Sequence, residues 1–504
     1  MATKIKVQSL NPICEQFNIR QSKALAGVFI LLLFIFISLK IQAQETRVWS
    51  LEDCINYALE HNIDIKKQSL NIDYQGELLL QSKLGMLPNL NGYVSHGYNW
   101  GQAIDPFTNQ FATDRVRSNN LNLSANVDLF NGLQKLNTIK RNMLNLEAAQ
   151  YDVNSYKDEI AISVATAYLQ TLFYIEYIEI GKNQLQITDQ QVERTGKLVE
   201  AGTLARGDLL TIEAQQASEE LSLVEAENNL TLSYLTLSQL LELSTPKGFV
   251  IEKPELGLFD DQEKLLDPEQ IFAFAVEIRP EIKSAQIKVE SSEKYLSIAR
   301  GSLYPRLSLN GSWGSGYSGA NQIGSDKYEE LIKIGETQDN DPYLNGIPVM
   351  STYSVYESYD VKSFGDQLSD NNNRTVGLNL SIPIFNGWGS RSSVAQAKIG
   401  IADANLDLQL QKNTLYKVIQ QAYNDAEAAL NKHKAALKKV NATQEAFKYA
   451  EQKFNVGLIN SVEYNDAKKE HNNALSELIQ AKYDYVFRIT VIDFYLGKPL
   501  TLKR

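Results

Sequence analysis

Cysteine is almost missing from this 504-residue chain. The two present, Cys14 and Cys54, cannot build a disulfide framework. Histidine is as sparse: His61, His96, His433 and His471 are scattered, with no HExxH and no Cys-His spacing, so metal ligation is not expected. Positive charge is in deficit, with 49 Lys and Arg against 60 Asp and Glu, and after residue 44 the balance is 44 to 59. A nucleic-acid surface needs the opposite sign. The glycines of "GSWGSGYSG" lack the GK[ST] ending of a phosphate loop and fall in a strand pattern. No nucleophile, base and orienting residue converge on one arrangement, which leaves neither an enzyme nor a cofactor to expect.

Long apolar runs are also missing, apart from residues 24–39. That run follows Lys4, Lys6, Arg20 and Lys23 and precedes Lys40, Ile41, Gln42 and Ala43, with a small residue where a signal peptidase cuts. Residues 1–44 are expected to be a secretory signal, an uncleaved anchor being the other reading, for which the run is short. Cleavage would part Cys14 from Cys54 and leave one thiol. Past the signal there is no run of 18 apolar residues. If the chain spans a bilayer, it must do so with strands.

Proline is the third absence. None of the 12 prolines lies in 107–245 or 384–498. Those stretches carry apolar residues at three-and-four spacing: Ile139, Met143, Leu146, Ala149, Val153, Tyr156, Ile160, Val164 and Ala167 in one, Val394, Ala397, Ile401, Ala404 and Leu408 in the other. The spacing is a coiled-coil seam, and a helix from Gly132 to Gly202 would run about 105 Å. A return helix from Asp208 and an earlier run from Asp64 would together nearly match that length. Stacked end to end beside the long helix, they predict a straight two-helix layer.

What the chain does have is a short elbow used twice: Leu129, Phe130, Asn131 and Gly132, then Ile384, Phe385, Asn386 and Gly387. Each joins a strand-like run to a long helix. Before the first, Leu121, Leu123, Ala125, Val127 and Leu129 alternate with Asn122, Ser124, Asn126 and Asp128; before the second, Leu378, Leu380, Ile382 and Ile384 alternate with Asn379 and Ser381. The whole unit is duplicated. Ala58, Ile65, Lys66 and Pro88 match Ala275, Ile282, Lys283 and Pro305 at a spacing of 217, while Gly132, Gly202 and Leu241 match Gly387, Gly457 and Leu496 at 255. The extra 38 residues are expected in a long, irregular loop between two strands of the second copy. The domains expected are a first repeat over 45–245, a collar segment over 246–267, a second repeat over 268–496 and a tail over 497–504.

Each repeat opens a strand pair after its proline, with Leu90, Val94, Tyr98 and Trp100 on one face of the first and Leu307, Leu309, Trp313 and Tyr317 on one face of the second. Four one-faced strands have no partner sheet in an otherwise helical chain, and they suit a membrane barrel. Four cannot close one, so the chain must oligomerise; three copies would give twelve strands. The fold class expected is mainly α with a small β part, a duplicated helix, hairpin, long helix and return helix. As a trimer it would form a 12-stranded β-barrel above a 12-helix periplasmic α-barrel.

The chain resembles the TolC-type outer-membrane factor family. The carriers are "LGMLPNL" and "GSLYPRL", the elbows "LFNG" and "IFNG", and the tip stretches "LVEAGTLARGDLLTIEAQ" and "FNVGLINSVEYNDAK". The resemblance implies a homotrimer in the outer membrane of a diderm bacterium. It would be a passive exit duct for efflux or type I secretion, docked to a periplasmic adaptor protein and through it to an inner-membrane pump. A secreted coiled-coil spacer or envelope tether is the alternative. Gly202, Thr203 and Leu204 with Gly457, Leu458 and Ile459 would be the adaptor-contacting tips. Glu463 and Asp466, with Asp208 at the first copy's equivalent of Glu463, would ring the periplasmic mouth. Ile459 stands where family members can place a base, so the closed mouth is expected to be held differently here.

Overall fold

The computed structural model describes residues 48–112, 115–244, 248–254, 266–338 and 343–502. The expected signal over 1–44 lies outside them. The chain begins with β1 (Val48–Trp49), α1 (Leu51–His61) and α2 (Ile63–Leu84). Ser50 caps α1 through a reciprocal pair with Asp53, and Asn62 both ends α1 and caps α2 by accepting from the backbone of Asp64 and Ile65. Strand β2 (Asn89–Asn99), the small pair β3 (Ala103–Ile104) and β4 (Phe111–Ala112), and β5 (Val116–Asn131) lead to α3 (Gln134–Glu200) and α4 (Arg206–Leu240). After β6 (Val250–Ile251) the same succession returns as α5 (Pro268–Ile278), α6 (Pro280–Gly301) and β7 (Arg306–Ser318). It then differs, through β8 (Gln322–Glu336), β9 (Pro348–Val361) and α7 (Phe364–Asp370). It resumes with β10 (Asn373–Ser381), α8 (Gly389–Asn455) and α9 (Ser461–Tyr495).

The paired helices agree in length: 11 residues for α1 and α5, 22 for α2 and α6, 67 for α3 and α8, and 35 for α4 and α9. At 1.5 Å per residue the long ones reach about 100 Å. The shorter ones stack end to end beside them. Asn62 Nδ2 donates to the Leu240 carbonyl at 3.3 Å, joining α2 to α4. Arg279, at the start of α6, lies 4.4 Å from the Phe494 ring at the end of α9. Near the sheet the helices lie in the order α2, α3, α6, α8; toward the far end the order is α4, α3, α9, α8. Buried alanines, among them Ala148, Ala149, Ala161 and Ala165 on α3 and Ala422, Ala426 and Ala429 on α8, let these helices approach closely.

Halfway along, Leu51, Cys54 and Ala58 of α1 pack with Val164, Tyr168 and Leu172 of α3, Leu237 of α4, Phe249 and Leu502. β1 pairs with β6 there, and the Tyr168 hydroxyl donates to the Glu252 carbonyl at 2.7 Å. Ile271 and Ala275 of α5 pack in the same way on Ile419 and Ala426 of α8.

The elbows need a left-handed backbone twice in succession, at Gly132 (φ +65°) and Leu133 (φ +62°), and again at Gly387 (φ +62°) and Trp388 (φ +70°). At the first elbow a Cβ on residue 132 would stand 2.2 Å from the Gly301 carbonyl oxygen. Only glycine fits there.

The expected irregular loop of the second copy is corrected by the structure. β8 and β9 pair from Gln322 with Val361 to Glu336 with Pro348, and α7 follows. The Gly, Ser, Asn and Asp content read as loop, yet Tyr353, Val355, Tyr359 and Val361 recur at strand spacing, and pairing satisfies both backbones. β5 is the longest strand of the four-stranded sheet, with 16 residues.

Candidate functional site

Two regions carry the candidate residues: the four-stranded sheet at one end and the helix turns at the other. The sheet order is β10-β7-β5-β2, every neighbour antiparallel. Register carries the one-sided pattern across strand boundaries. Leu90 faces Ala125, which faces Gly311, which faces Val376; Leu123 faces Trp313; Val127 faces Leu309, which faces Leu378. On the other side Asn91, Ser124, Ser312 and Thr375 form one row, and Asn89, Asn126, Asn310 and Gly377 form another. A slip of one residue would have scrambled both faces. The apolar side is open: Val376 is 80% exposed and Leu90 72%. A water-soluble chain does not leave so continuous an apolar face uncovered. At the lower rim, Arg306 and Lys135 both bind Asp128, at 2.7 and 3.0 Å, which ties β5, β7 and α3 beside Phe130, Asn131 and Gly132. At the second elbow Asn386 donates to Ser390, while Phe385 is 82% exposed.

At the tips Gly202 and Gly457 each have φ +74° and end the long helices. Thr203 N donates to the Leu198 carbonyl at 3.0 Å and Leu458 N to Lys453 at 2.9 Å, the bonds of a helix stop. Leu458 is 74% exposed, while Leu204 and Ile459 are half-buried. Asn460 caps α9, accepting from Glu463 N at 2.9 Å and donating to its carboxylate at 3.2 Å.

The candidate acidic residues are not brought together within one chain. Asp208 accepts from Ser461 Oγ at 2.6 Å, so it joins the two tips. Glu463 and Asp466 are exposed and continue to Glu470, a three-and-four stripe on one face of α9. The opposite face, with Ser461, Tyr464 and Lys468, is buried. Burial pushes the Tyr464 hydroxyl up to about 12.

Sequence reading missed Lys468. It is 1% exposed, and its Nζ donates to Glu219 of α4 at 3.1 Å, to the Gln184 carbonyl of α3 at 3.3 Å and to Thr188. Burial lowers its pKa, against which the Glu219 carboxylate pulls upward. The available signal was the spacing of Ser461, Tyr464 and Lys468, a packed stripe at positions three and four apart.

The sequence model of the outer membrane efflux protein family matches residues 54–242 and 275–498. The chain belongs to that family. Outer membrane protein TolC of Vibrio cholerae is 22% identical over 92% of this chain and 95% of TolC. The alkaline protease secretion protein AprF of Pseudomonas aeruginosa is 20% identical over 94% of this chain and 88% of AprF. A crystal structure of CusC matches with a TM-score of 0.69 at 15% identity, over 89% of this chain and 92% of that one. The protein is therefore an outer-membrane exit duct for efflux or secretion, with a periplasmic helical extension. Relatives are named for secretion and for export, AprF for alkaline protease secretion and OpmQ of Pseudomonas aeruginosa for pyoverdine export.

Proposed function

We propose that three copies close into one ring, a twelve-stranded barrel continued by twelve helices, which passes cargo outward without an energy source of its own. The observation that carries this is that, among the described residues, the sheet has two unpaired edges beside an open apolar face. Edges exposed to lipid cannot be tolerated. Strand directions alternate from β2 to β10, so the free edge of β10 runs antiparallel to a neighbour's β2, as closure requires.

Internal duplication supports a specific register for the helices. Within the chain, Asp152 of α3 accepts from Ser284 and, at 2.9 Å, from Lys288 of α6, while Asn145 accepts from Ser291 at 2.6 Å. The repeat spacings carry this junction onto α2 of one copy and α8 of the next. There Asp407 meets Lys67 and Asn71, and Gly400 meets Tyr74. All five are exposed in the single chain. The charge partner is kept, and a large residue faces one without a side chain.

On this reading residues 1–44 are removed at export, and the described residues 248–254 and 497–502 of the two connecting segments belong to a collar, supported by the burial of Leu502 beside Cys54; residues 246–247, 255–265 and 503–504 lie outside the described residues. The turns with Thr203, Leu204, Leu458 and Ile459 meet a periplasmic adaptor that links to an inner-membrane pump, because an exposed Leu458 at a turn wants a partner. Glu463 and Asp466 of three chains line the periplasmic mouth, with Asp208 fastened to the neighbouring tip.

The test is cross-linking in outer membranes, with Lys67→Cys and Asp407→Cys in a Cys54→Ala background. Oxidation should give dimer and trimer bands on a non-reducing gel and nothing larger. Monomer alone, or a ladder beyond three, would overturn the ring.

A further inference from the structure

The described part of the loop between β2 and β5, through Ala112, does not stand out in solvent; it folds back over the polar side of the sheet. β3 pairs with β4, and Asp105 closes the turn by accepting from the backbone of Phe107 at 3.0 Å and of Thr108 at 2.9 Å. The same carboxylate accepts from Ser318 Oγ of β7, 213 residues away. Asp105 is 4% exposed and Ser318 fully buried. Beside them the Phe107 ring lies on Gly316, where an added Cβ would stand 2.1 Å from Phe107 Cζ. Gly316 and Ser318 share their strand face with Ser308, Asn310 and Ser312, the polar face. The aromatic ring is thus on the side that faces the lumen.

The strand segment beneath is itself held. β10 stops pairing with β7 at Gly314, and α7 takes over that edge. Gln367 accepts from Ser318 N at 2.9 Å and donates to the Ser318 carbonyl at 3.0 Å, and Asn371 Nδ2 donates to the Gly316 carbonyl at 2.8 Å. The inward loop therefore rests on a fixed base.

We propose that the β3–β4 loop, pinned to the wall by Phe107 and Asp105, sets the size limit of the outer mouth, a constriction separate from the acidic stripe at the tips. This rests on the ring of three copies. Twelve strands spaced about 4.8 Å and tilted about 40° give a barrel roughly 24 Å across its backbone. A layer packed on a sheet occupies about 10 Å. Three such layers entering from the wall fill most of the bore, each held down by its Phe107 ring on Gly316, with the exposed Asn109 and Gln110 of the turn outside that contact.

The test uses the purified full-length protein in planar bilayers, with poly(ethylene glycol) of graded mass added on the external side. Phe107→Ala, and separately Asp105→Ala with Ser318→Ala, should shift the external exclusion limit to larger polymers and leave the limit from the tip side unchanged. Cross-linking of the same preparations separates the two ideas: trimers with an unaltered external limit overturn the role of the pinned loop alone, whereas absence of trimers overturns the ring.

Discussion

Removing the partner of Lys468 should cost the helical shaft more than removing the whole pair. The ammonium group is 1% exposed and the Glu219 side chain 11%, with 3.1 Å between Nζ and Oε1. Glu219→Gln leaves a buried charge with only neutral acceptors, a loss of about 3–5 kcal/mol for a pair this dry. Replacing both groups by apolar ones of like volume, Glu219→Leu with Lys468→Met, should be near neutral, because two desolvation costs disappear with one attraction. The asymmetry is the prediction. Helical ellipticity followed through heating at a fixed rate would read it, the single variant melting well below wild type and the double variant close to it. The pH dependence has a definite sign. A lysine whose folded pKa lies below its unfolded value of 10.5 binds fewer protons when folded, so stability rises as pH climbs from the folded value toward 10.5. In Glu219→Gln the folded value drops further and that window widens downward. A single variant that loses under about 1 kcal/mol would refute the argument and mean that Lys468 reaches water.

Two further outcomes follow from the elbow and the mouth. Gly132→Ala combines a left-handed residue, about 1–2 kcal/mol, with a clash against the Gly301 carbonyl of about 1–3 kcal/mol more. Gly202→Ala has the same backbone sign and open space, so membrane-inserted yield should fall further for the former; equal yields would refute the clash. Glu463→Gln with Asp466→Asn should weaken cation preference and block by multivalent cations in single-channel recordings, and unchanged recordings would place the constriction elsewhere.

Much of the architecture was legible because periodicity is a local property. The seam beginning Ile139, Met143, Leu146 and Ala149 marked α3, the alternation from Leu121 to Leu129 marked β5, and Gly202 and Gly457 marked the helix stops. The hairpin of β8 and β9 was not legible, since its composition resembles loop and only pairing reveals it. The acidic residues were visible as a pattern, but which of them is tied down was not.

The sequence by itself determined the long helices, their stops and the two-faced strands, which depend on residues within a turn or two of one another, and the duplication, which shows as like residues at fixed spacing. Tertiary structure alone decided that Asp208 binds Ser461, that Lys468 reaches Glu219 and that Phe107 lies on Gly316. Those contacts span 253, 249 and 209 residues of chain. They depend on how one long helix or strand is set against another, where a shift of one residue exchanges every partner.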